Sequence, residues 1–178
     1  MRLVYCLGYG EPELCFAPPK RNAGTRQYWD IFGALAYGSV DAVQPRRSRA
    51  RNRDGLRDRI HWKIDTLARL QERGIWLLDV SPVALYAPGG GRAVTGSRYR
   101  DLVRSAFTQF IGPRLSRFHK LNQVWVIGYD LARHLEPVAA KWLARDHVII
   151  QPQGERACPG RLRTDLSRMV RAAQRHAR

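Results

Sequence analysis

Residues 74–83 read GIWLLDVSPV, and this stretch decides the predicted fold. Gly74 stands where a glycine ends a helix, and the run Ile75–Leu78 after it shows no alternation of polar and apolar residues. Such a run is typical of a strand that is buried on both faces of a parallel sheet. Asp79 follows directly, and the carboxyl ends of parallel strands are where open sheets bind ligands. Asp79 is therefore a candidate site residue.

Further apolar runs of the same kind alternate with segments of helical spacing. The runs that we interpret as strands are Leu3–Leu7, Ile75–Leu78, Val124–Ile127 and His147–Ile150. The segments that we interpret as helices are Gln27–Ala36, Leu56–Arg73, Ser97–Ile111, Leu131–Leu143 (which Pro137 should kink or break) and a last one from about Arg161 towards Arg175. This alternation predicts an α/β fold, a three-layer α/β/α sandwich with a central four-stranded parallel sheet, formed by a single domain over residues 1–178.

The net charge of the chain points to a polyanionic partner. The 178 residues include 31 Lys+Arg against 15 Asp+Glu, a formal charge of +16, which favours nucleic acid ahead of an acidic membrane surface. Residues 44–54 (QPRRSRARNRD) are interpreted as a basic surface loop, either simply solvated or in contact with phosphates. The DNA-binding candidates in it are Arg46, Arg47, Arg49, Arg51 and Arg53.

The cysteines and the amino-terminal residues indicate in which cellular compartment the protein is expected. Cys6, Cys15 and Cys158 are odd in number and have no CxxC spacing, which favours a reducing compartment and disfavours a zinc or iron–sulfur site. The apolar opening ends at Leu7, too early to span a bilayer. We expect a cytoplasmic protein with no membrane partner.

Motifs at the ends of the predicted strands follow one another in a suggestive order. They are Gly10-Glu11-Pro12, Leu14-Cys15-Phe16, Gly74–Asp79, Val124–Gly128 and Gln151-Pro152-Gln153. Each motif is degenerate alone, but in this order, over nearly the whole chain, they resemble the uracil-DNA glycosylase superfamily. The resemblance implies a monomeric DNA N-glycosylase that flips a pyrimidine out of DNA, hydrolyses its N-glycosidic bond and leaves an abasic site. It implies no metal and no organic cofactor.

The resemblance also implies roles for individual residues. Glu11 would orient the attacking water, and Gln151, which stands where the family has a histidine, would hold the departing base. The expected contacts to the base come from Tyr9, Phe16 and Asp79, and those to the DNA groove from Gln153 and Arg156.

Asp79 bears on the choice of base, because the family has an amide at its position. A carboxylate accepts from the N4 amine of cytosine but repels O4 of uracil. Glu13 stands where the family has a tyrosine that excludes 5-substituted bases, so we expect a 5-modified cytosine as the substrate. Such bases occur in phage DNA, which implies a role in antiviral defence.

Other interpretations of the same residues stay open. In the first, Asp79 only caps the loop that follows it and contacts no base. In the second, the protein is a uracil-DNA repair glycosylase. In the third, it is a non-catalytic basic module that binds nucleic acid by charge alone. A different α/β hydrolase is a fourth, although the chain has neither GxxxxGK[ST] nor a paired DxD motif.

Overall fold

The computed structural model describes Leu7 and residues 11–14, 27–41, 53–81, 94–151 and 160–176. The described residues form two compact units. The first, the helical unit, contains those from Leu7 to Trp76 together with 160–176. The second, the mixed unit, contains those from Leu77 to Gln151. The prediction of a single domain over the chain stays a prediction.

Helices predominate in both units. In chain order the elements are α1 (Gln27–Tyr37), α2 (Arg53–Glu72), α3 (Gly96–Ala106), α4 (Gly112–Leu115), β1 (Val124–Ile127), α5 (Tyr129–Ala139), β2 (Leu143–Ile149) and α6 (Arg161–His176). A 3-10 turn at Pro12–Leu14 precedes α1, and a π-helical turn at Phe107–Ile111 joins α3 to α4. The helices predicted from three- and four-residue spacing are confirmed within a few residues. Pro137 lies inside α5, which is not broken there but ends two residues later.

The helical unit is built around α1. This helix is apolar on most of its sides, with Trp29, Ile31 and Leu35 buried, and it packs against both α2 and α6. Trp29 contacts Trp62 of α2 edge to face, with 6.3 Å between ring centroids. The apolar sides of α1 therefore bury aromatic surface that would be costly to expose to water.

The mixed unit is built around a β1–α5–β2 crossover. The two strands are parallel, with Val124 opposite Leu143 and Ile127 opposite Ile149, and the register is irregular between Val124 and Val126. Val126 of β1 belongs to the hydrophobic core of this unit, whose buried members are Val103, Phe107, Ile111, Leu115, Val126, Leu135 and Ala139. The apolar faces of α3, the π-helical turn and α5 are thereby covered.

The predicted three-layer sandwich with a central four-stranded sheet is wrong. The described residues contain a single sheet of two strands, and helices form most of the rest. Ile75–Leu78 forms no strand with any described residue, and Trp76 within it is 67% exposed. A short apolar run indicates that its residues tend to be buried. A strand also needs a neighbouring strand for its backbone hydrogen bonds, and the sequence of the run does not indicate whether such a neighbour exists. Of the predicted strand Leu3–Leu7 only Leu7 is described, in a turn.

Gly74 ends α2 as predicted. Its φ is +67°, in the left-handed region that glycine adopts without strain. Its N–H donates to the carbonyl of Gln71 at 2.9 Å, and the N–H of Ile75 donates to the carbonyl of Leu70 at 2.8 Å. These two bonds form a Schellman motif, which satisfies the last carbonyls of the helix.

None of the helices in the described ranges combines the length with the apolar composition that crossing a bilayer requires.

Candidate functional site

Some of the residues predicted to touch DNA can be placed in the structure and others cannot. Glu11 belongs to the helical unit, Arg53 begins α2, and Asp79 and Gln151 belong to the mixed unit. The predicted residues outside the described ranges are Tyr9, Phe16, Arg46, Arg47, Arg49, Arg51, Gln153 and Arg156.

Glu11 lies inside the helical unit with both carboxylate oxygens paired. Only 1% of the residue is exposed. Arg59 of α2 donates through Nε to Oε2, and Lys63, one turn further along α2, donates through Nζ to Oε1 at 2.6 Å. Arg59 also donates through Nη2 to Oε1 of Glu13 at 2.8 Å. We refer to Glu11, Glu13, Arg59 and Lys63 as the Glu11 cluster.

Lys63 is as deeply buried as Glu11, with 1% of the residue exposed. Its ammonium group also donates to the backbone carbonyl of Leu7 at 2.9 Å and lies 5.0 Å from the centroid of the Trp29 ring. A buried ammonium ion is tolerated only where its hydrogen bonds and its charge are matched, and these contacts provide that match. The cluster holds two carboxylates and two cations, so its charges balance. It ties the turn at Pro12–Leu14 to α2.

This arrangement gives Glu11 a structural role, whereas its role in orienting water stays a prediction. Sequence reasoning did not identify Arg59 and Lys63 as its partners. Their spacing could have indicated that they share one face of the helix, because they lie four residues apart on α2. Thr66 and Leu70 continue the same buried stripe. Leu56, Ile60, Ile64, Leu67 and Leu70 follow one another at three- and four-residue steps along α2, yet Ile64 is exposed. The buried face of α2 is thus offset from its most apolar face.

Asp79 lies in a part of the chain that has no regular secondary structure, so it does not follow a strand as predicted. Its side chain is half-buried. The next residues are held by the mixed unit, because Val80 packs against the hydrophobic core and Ser81 is buried. The residues that directly follow Asp79 are therefore packed into the mixed unit.

Gly128 and Gln151 meet where β1 and β2 end. The N–H of Gly128 donates to the carbonyl of Ile149 at 2.8 Å, and Gly128 has a φ of +121°, a conformation that side chains rarely allow. A Cβ at Gly128 would lie 2.8 Å from Nε2 of Gln151. The amide of Gln151 thus packs directly over the glycine, at the carboxyl end of the parallel pair and beside the start of α5.

A basic surface follows α4 in the mixed unit. Leu115 is buried in the hydrophobic core, and the three residues after it are held in successive turns. The N–H of Arg117 donates to the carbonyl of Arg114 at 3.1 Å, and the N–H of Phe118 donates to that of Leu115 at 3.2 Å. Arg114, Arg117 and Lys120 are exposed, and Phe118 between them is 40% exposed. A buried leucine thus anchors a turn in which exposed cations and an exposed phenylalanine are neighbours in sequence.

Lys141 belongs to the same side of the mixed unit through Trp142. The Trp142 ring packs against Gly112 at the start of α4, where a Cβ would lie 3.4 Å from its Cη2 atom. The same ring contacts Phe107 edge to face at 5.6 Å between centroids. The Lys141 ammonium group lies 5.5 Å from the Trp142 centroid. We define the basic aromatic surface as Arg114, Arg117, Phe118, Lys120 and Lys141.

The cations of this surface differ from Arg133 and Arg163 in their partners. Arg133 pairs with Asp130, and Arg163 pairs with Asp41 at 2.8 Å. Arg114, Arg117, Lys120 and Lys141 form no ion pair with any acid in the described ranges. Those ranges hold every acidic residue of the chain except Glu155. The positive charge of the surface is therefore not neutralised by a described neighbour.

Comparison with known proteins leaves the predicted family untested. No protein-family model, no curated protein and no solved structure matches the chain. Within the described ranges, no three His, Cys, Asp or Glu side chains are grouped in a way that would hold a metal ion.

Proposed function

We propose that this protein binds DNA through the phosphates of its backbone. The observation that carries the proposal is the basic aromatic surface, whose cations pair with no described acid in a chain of net charge +16. Cations that already have an acid partner must lose it to bind phosphate, whereas these keep their charge available. The five arginines of residues 44–54 add to the same field.

The proposal is tested by the salt dependence of DNA binding. Each phosphate neutralised by Lys or Arg releases counterions, so log K falls with log salt concentration by about 0.9 per contact on duplex DNA. The variant is Arg114→Gln/Arg117→Gln/Lys120→Gln. The matched control is Arg100→Gln/Arg133→Gln/Arg163→Gln, which removes the same charge from exposed arginines that are paired with Asp101, Asp130 and Asp41.

We expect the first variant to have a weaker affinity and a shallower salt slope than the control. A salt-independent affinity of the wild-type protein would overturn the proposal. An equal loss in both triple variants would show that net charge, rather than this surface, determines binding.

The second candidate function is DNA N-glycosylase activity, and the contact between Gly128 and Gln151 favours it. An exposed amide at the carboxyl end of a parallel pair stands where the family resemblance expects a group that holds the departing base. In this proposal Asp79 accepts from the N4 amine of a 5-modified cytosine, and the enzyme acts as a cytoplasmic monomer in antiviral defence.

The glycosylase proposal is tested by the release of bases. The purified protein is incubated with DNAs that contain uracil, cytosine or a 5-modified cytosine, and alkali then cleaves any abasic sites. We expect cleavage at the 5-modified cytosine only, and its loss in Asp79→Asn. Cleavage at uracil alone would assign a repair role, and no cleavage of any DNA would overturn the activity.

A further inference from the structure

We propose that α6 binds in the major groove of duplex DNA, where a row of arginines along the helix contacts the phosphates. This inference rests on the proposed DNA-binding function, to which it adds a second surface, in the helical unit, and the form of DNA that this surface takes. Three observations on α6 support it: the alignment of its arginines, the excess of positive charge among them, and the packing of the opposite face of the helix.

The arginines of α6 are aligned along one side of the helix. Residues at steps of three and four run along this side, and they are Arg161, Thr164, Arg168, Arg171 and Arg175. Residues at such steps are neighbours on a helix surface, and at 1.5 Å per residue the row is about 21 Å long. Arg161, Arg171 and Arg175 are exposed, and Arg168 is half-buried. We refer to these four arginines as the α6 row.

Positive charge exceeds negative charge along the α6 row. The one acid of the helix, Asp165, is 1% exposed, and its Oδ1 atom lies 3.1 Å from Nε of Arg161 and 3.5 Å from Nη2 of Arg168. Arg171 and Arg175 form no ion pair with any acid in the part of the chain that the structure describes. The carboxyl-terminal half of the row therefore keeps its charge available for phosphates.

The opposite face of α6 is fixed to the helical unit. Leu166 and Val170 are buried there, and the helix packs against α1. Near the end of α6, Gln174 donates through Nε2 to the carbonyl of Gly38 at 2.9 Å. The helix is thus held both at its middle and near its end. The α6 row is presented on a backbone that is already ordered, so binding loses little conformational entropy there.

The shape of α6 suits the major groove of duplex DNA. This groove is about 12 Å wide and admits one α-helix, whose diameter with side chains is about 10–12 Å. Phosphates lie along both borders of the groove, and a guanidinium group can bind a phosphate through two parallel N–H groups. A helix in the groove therefore brings a line of arginines within reach of a line of phosphates.

Single-stranded DNA is the less suitable partner for α6. Proteins that bind single strands combine a basic track with aromatic rings on which the bases stack. Helix α6 contains no Phe, Tyr or Trp. The α6 row therefore offers charge but no stacking surface, and we expect its contribution to be made on the duplex.

The decisive experiment compares Arg171→Gln/Arg175→Gln with a control of equal charge, Arg133→Gln/Arg163→Gln. The control removes exposed arginines that already have an acid partner, one of them on α6 but outside the α6 row. Glutamine has about the helix propensity of arginine, so both variants should fold. Each phosphate contact on a duplex contributes about 0.9 to the slope of log K against log salt concentration, so the row variant should have a slope shallower by about 1.8. The control should keep the wild-type slope, and the two variants should bind a single strand of the same sequence alike.

The groove is identified with a duplex whose major groove is filled. Bulky uncharged substituents at C5 of the thymines, where the methyl group lies in the major groove, fill it and leave the phosphates unchanged. We expect the wild-type protein to bind this duplex as weakly as the row variant binds the plain duplex. The row variant should lose no further affinity on the filled duplex.

Each failure has its own signature. If the wild-type protein binds none of the DNAs, the proposed function fails together with this inference. If it binds DNA but the row variant and the control behave alike, the role of α6 is overturned while DNA binding stands. An equal loss by the row variant on single strand and duplex, or full wild-type affinity for the filled duplex, would overturn the assignment to the major groove. Equally tight binding of duplex RNA, whose major groove is deep and narrow, would overturn it too.

Discussion

Lys63 Nζ lies 2.6 Å from Glu11 Oε1, although the two residues are 52 positions apart in the chain. Both side chains are almost completely removed from solvent. Arg59 occupies the other carboxylate oxygen, so Glu11 is the only group that contacts both cations within the Glu11 cluster. We therefore expect the stability of the helical unit to depend on Glu11, the residue that was predicted from the sequence to orient the attacking water.

Glu11→Gln should destabilise the protein strongly. Removing one partner of a buried ion pair leaves an uncompensated charge, at a cost of about 3–5 kcal/mol in the free energy of unfolding. The control is Glu13→Gln, because Glu13 is more exposed and Arg59 is its one ionic partner among the described residues; its cost should be about 1 kcal/mol or less. Urea unfolding measures both. If Glu11→Gln is as stable as the wild-type protein but inactive on DNA, Glu11 is catalytic rather than structural.

Glu11 and Lys63 should be energetically coupled. Lys63→Met keeps most of the side-chain volume but removes one of the two cations that contact the Glu11 carboxylate within the Glu11 cluster, so it should also be destabilising. The double variant Glu11→Gln/Lys63→Met removes both charges, and its loss of stability should be smaller than the sum of the single losses by about 0.5–3 kcal/mol. A double-mutant cycle from urea unfolding gives this coupling. Additive losses would mean that the ion pair contributes nothing of its own.

Gly128→Ala should be more destabilising than Gly74→Ala. Both glycines have a positive φ, but a Cβ at Gly74 would have no atom of the described residues within 4 Å, so only backbone strain of about 1–2 kcal/mol is expected there. At Gly128 the Cβ also meets the side chain of Gln151, which raises the expected cost to about 3 kcal/mol. Thermal unfolding compares the two. Adding Gln151→Ala to Gly128→Ala should recover the part of the loss that is due to the clash.

Tyr99 should make the stability of the protein fall at alkaline pH. Burial, and secondarily the charge of Asp130, raise the pKa of Tyr99 above its usual 10.0. The neutral phenol is thus favoured in the folded state, so its contribution is complete below pH 10.0 and is lost as the pH rises from there through the folded-state pKa. The free energy of unfolding of Tyr99→Phe should therefore fall less than that of the wild-type protein over this range. Identical pH profiles would contradict this prediction.

Local features of the chain were predictable because they depend on neighbours in sequence. The spacing of apolar residues located α1, α2, α5 and α6 to within a few residues, and Gly74 marked the end of α2. Helical hydrogen bonds join residues four apart, so the relevant partners are always within the window that a periodic pattern covers.

Strand pairing was less predictable because its partners are distant. Val124–Ile127 and Ile75–Leu78 are equally apolar, yet only the first pairs with another described strand. The strand predicted at His147–Ile150 begins at Leu143, because Leu143 pairs with Val124. No property of residues 143–146 alone indicates that pairing.

The features of the candidate sites can likewise be separated into those set by local sequence and those set by distant contacts. The sequence alone determined the excess of positive charge, the helices and the glycines that end elements, since these follow from composition and from contacts within one turn. The tertiary structure alone decided that Glu11 is enclosed by Arg59 and Lys63 and that Gln151 packs over Gly128. It also decided that the cations of the basic aromatic surface pair with no acid in the described part of the chain. Each of these depends on which distant groups share a small volume, and the free energy of a buried or exposed charge is determined by those neighbours rather than by the residue itself.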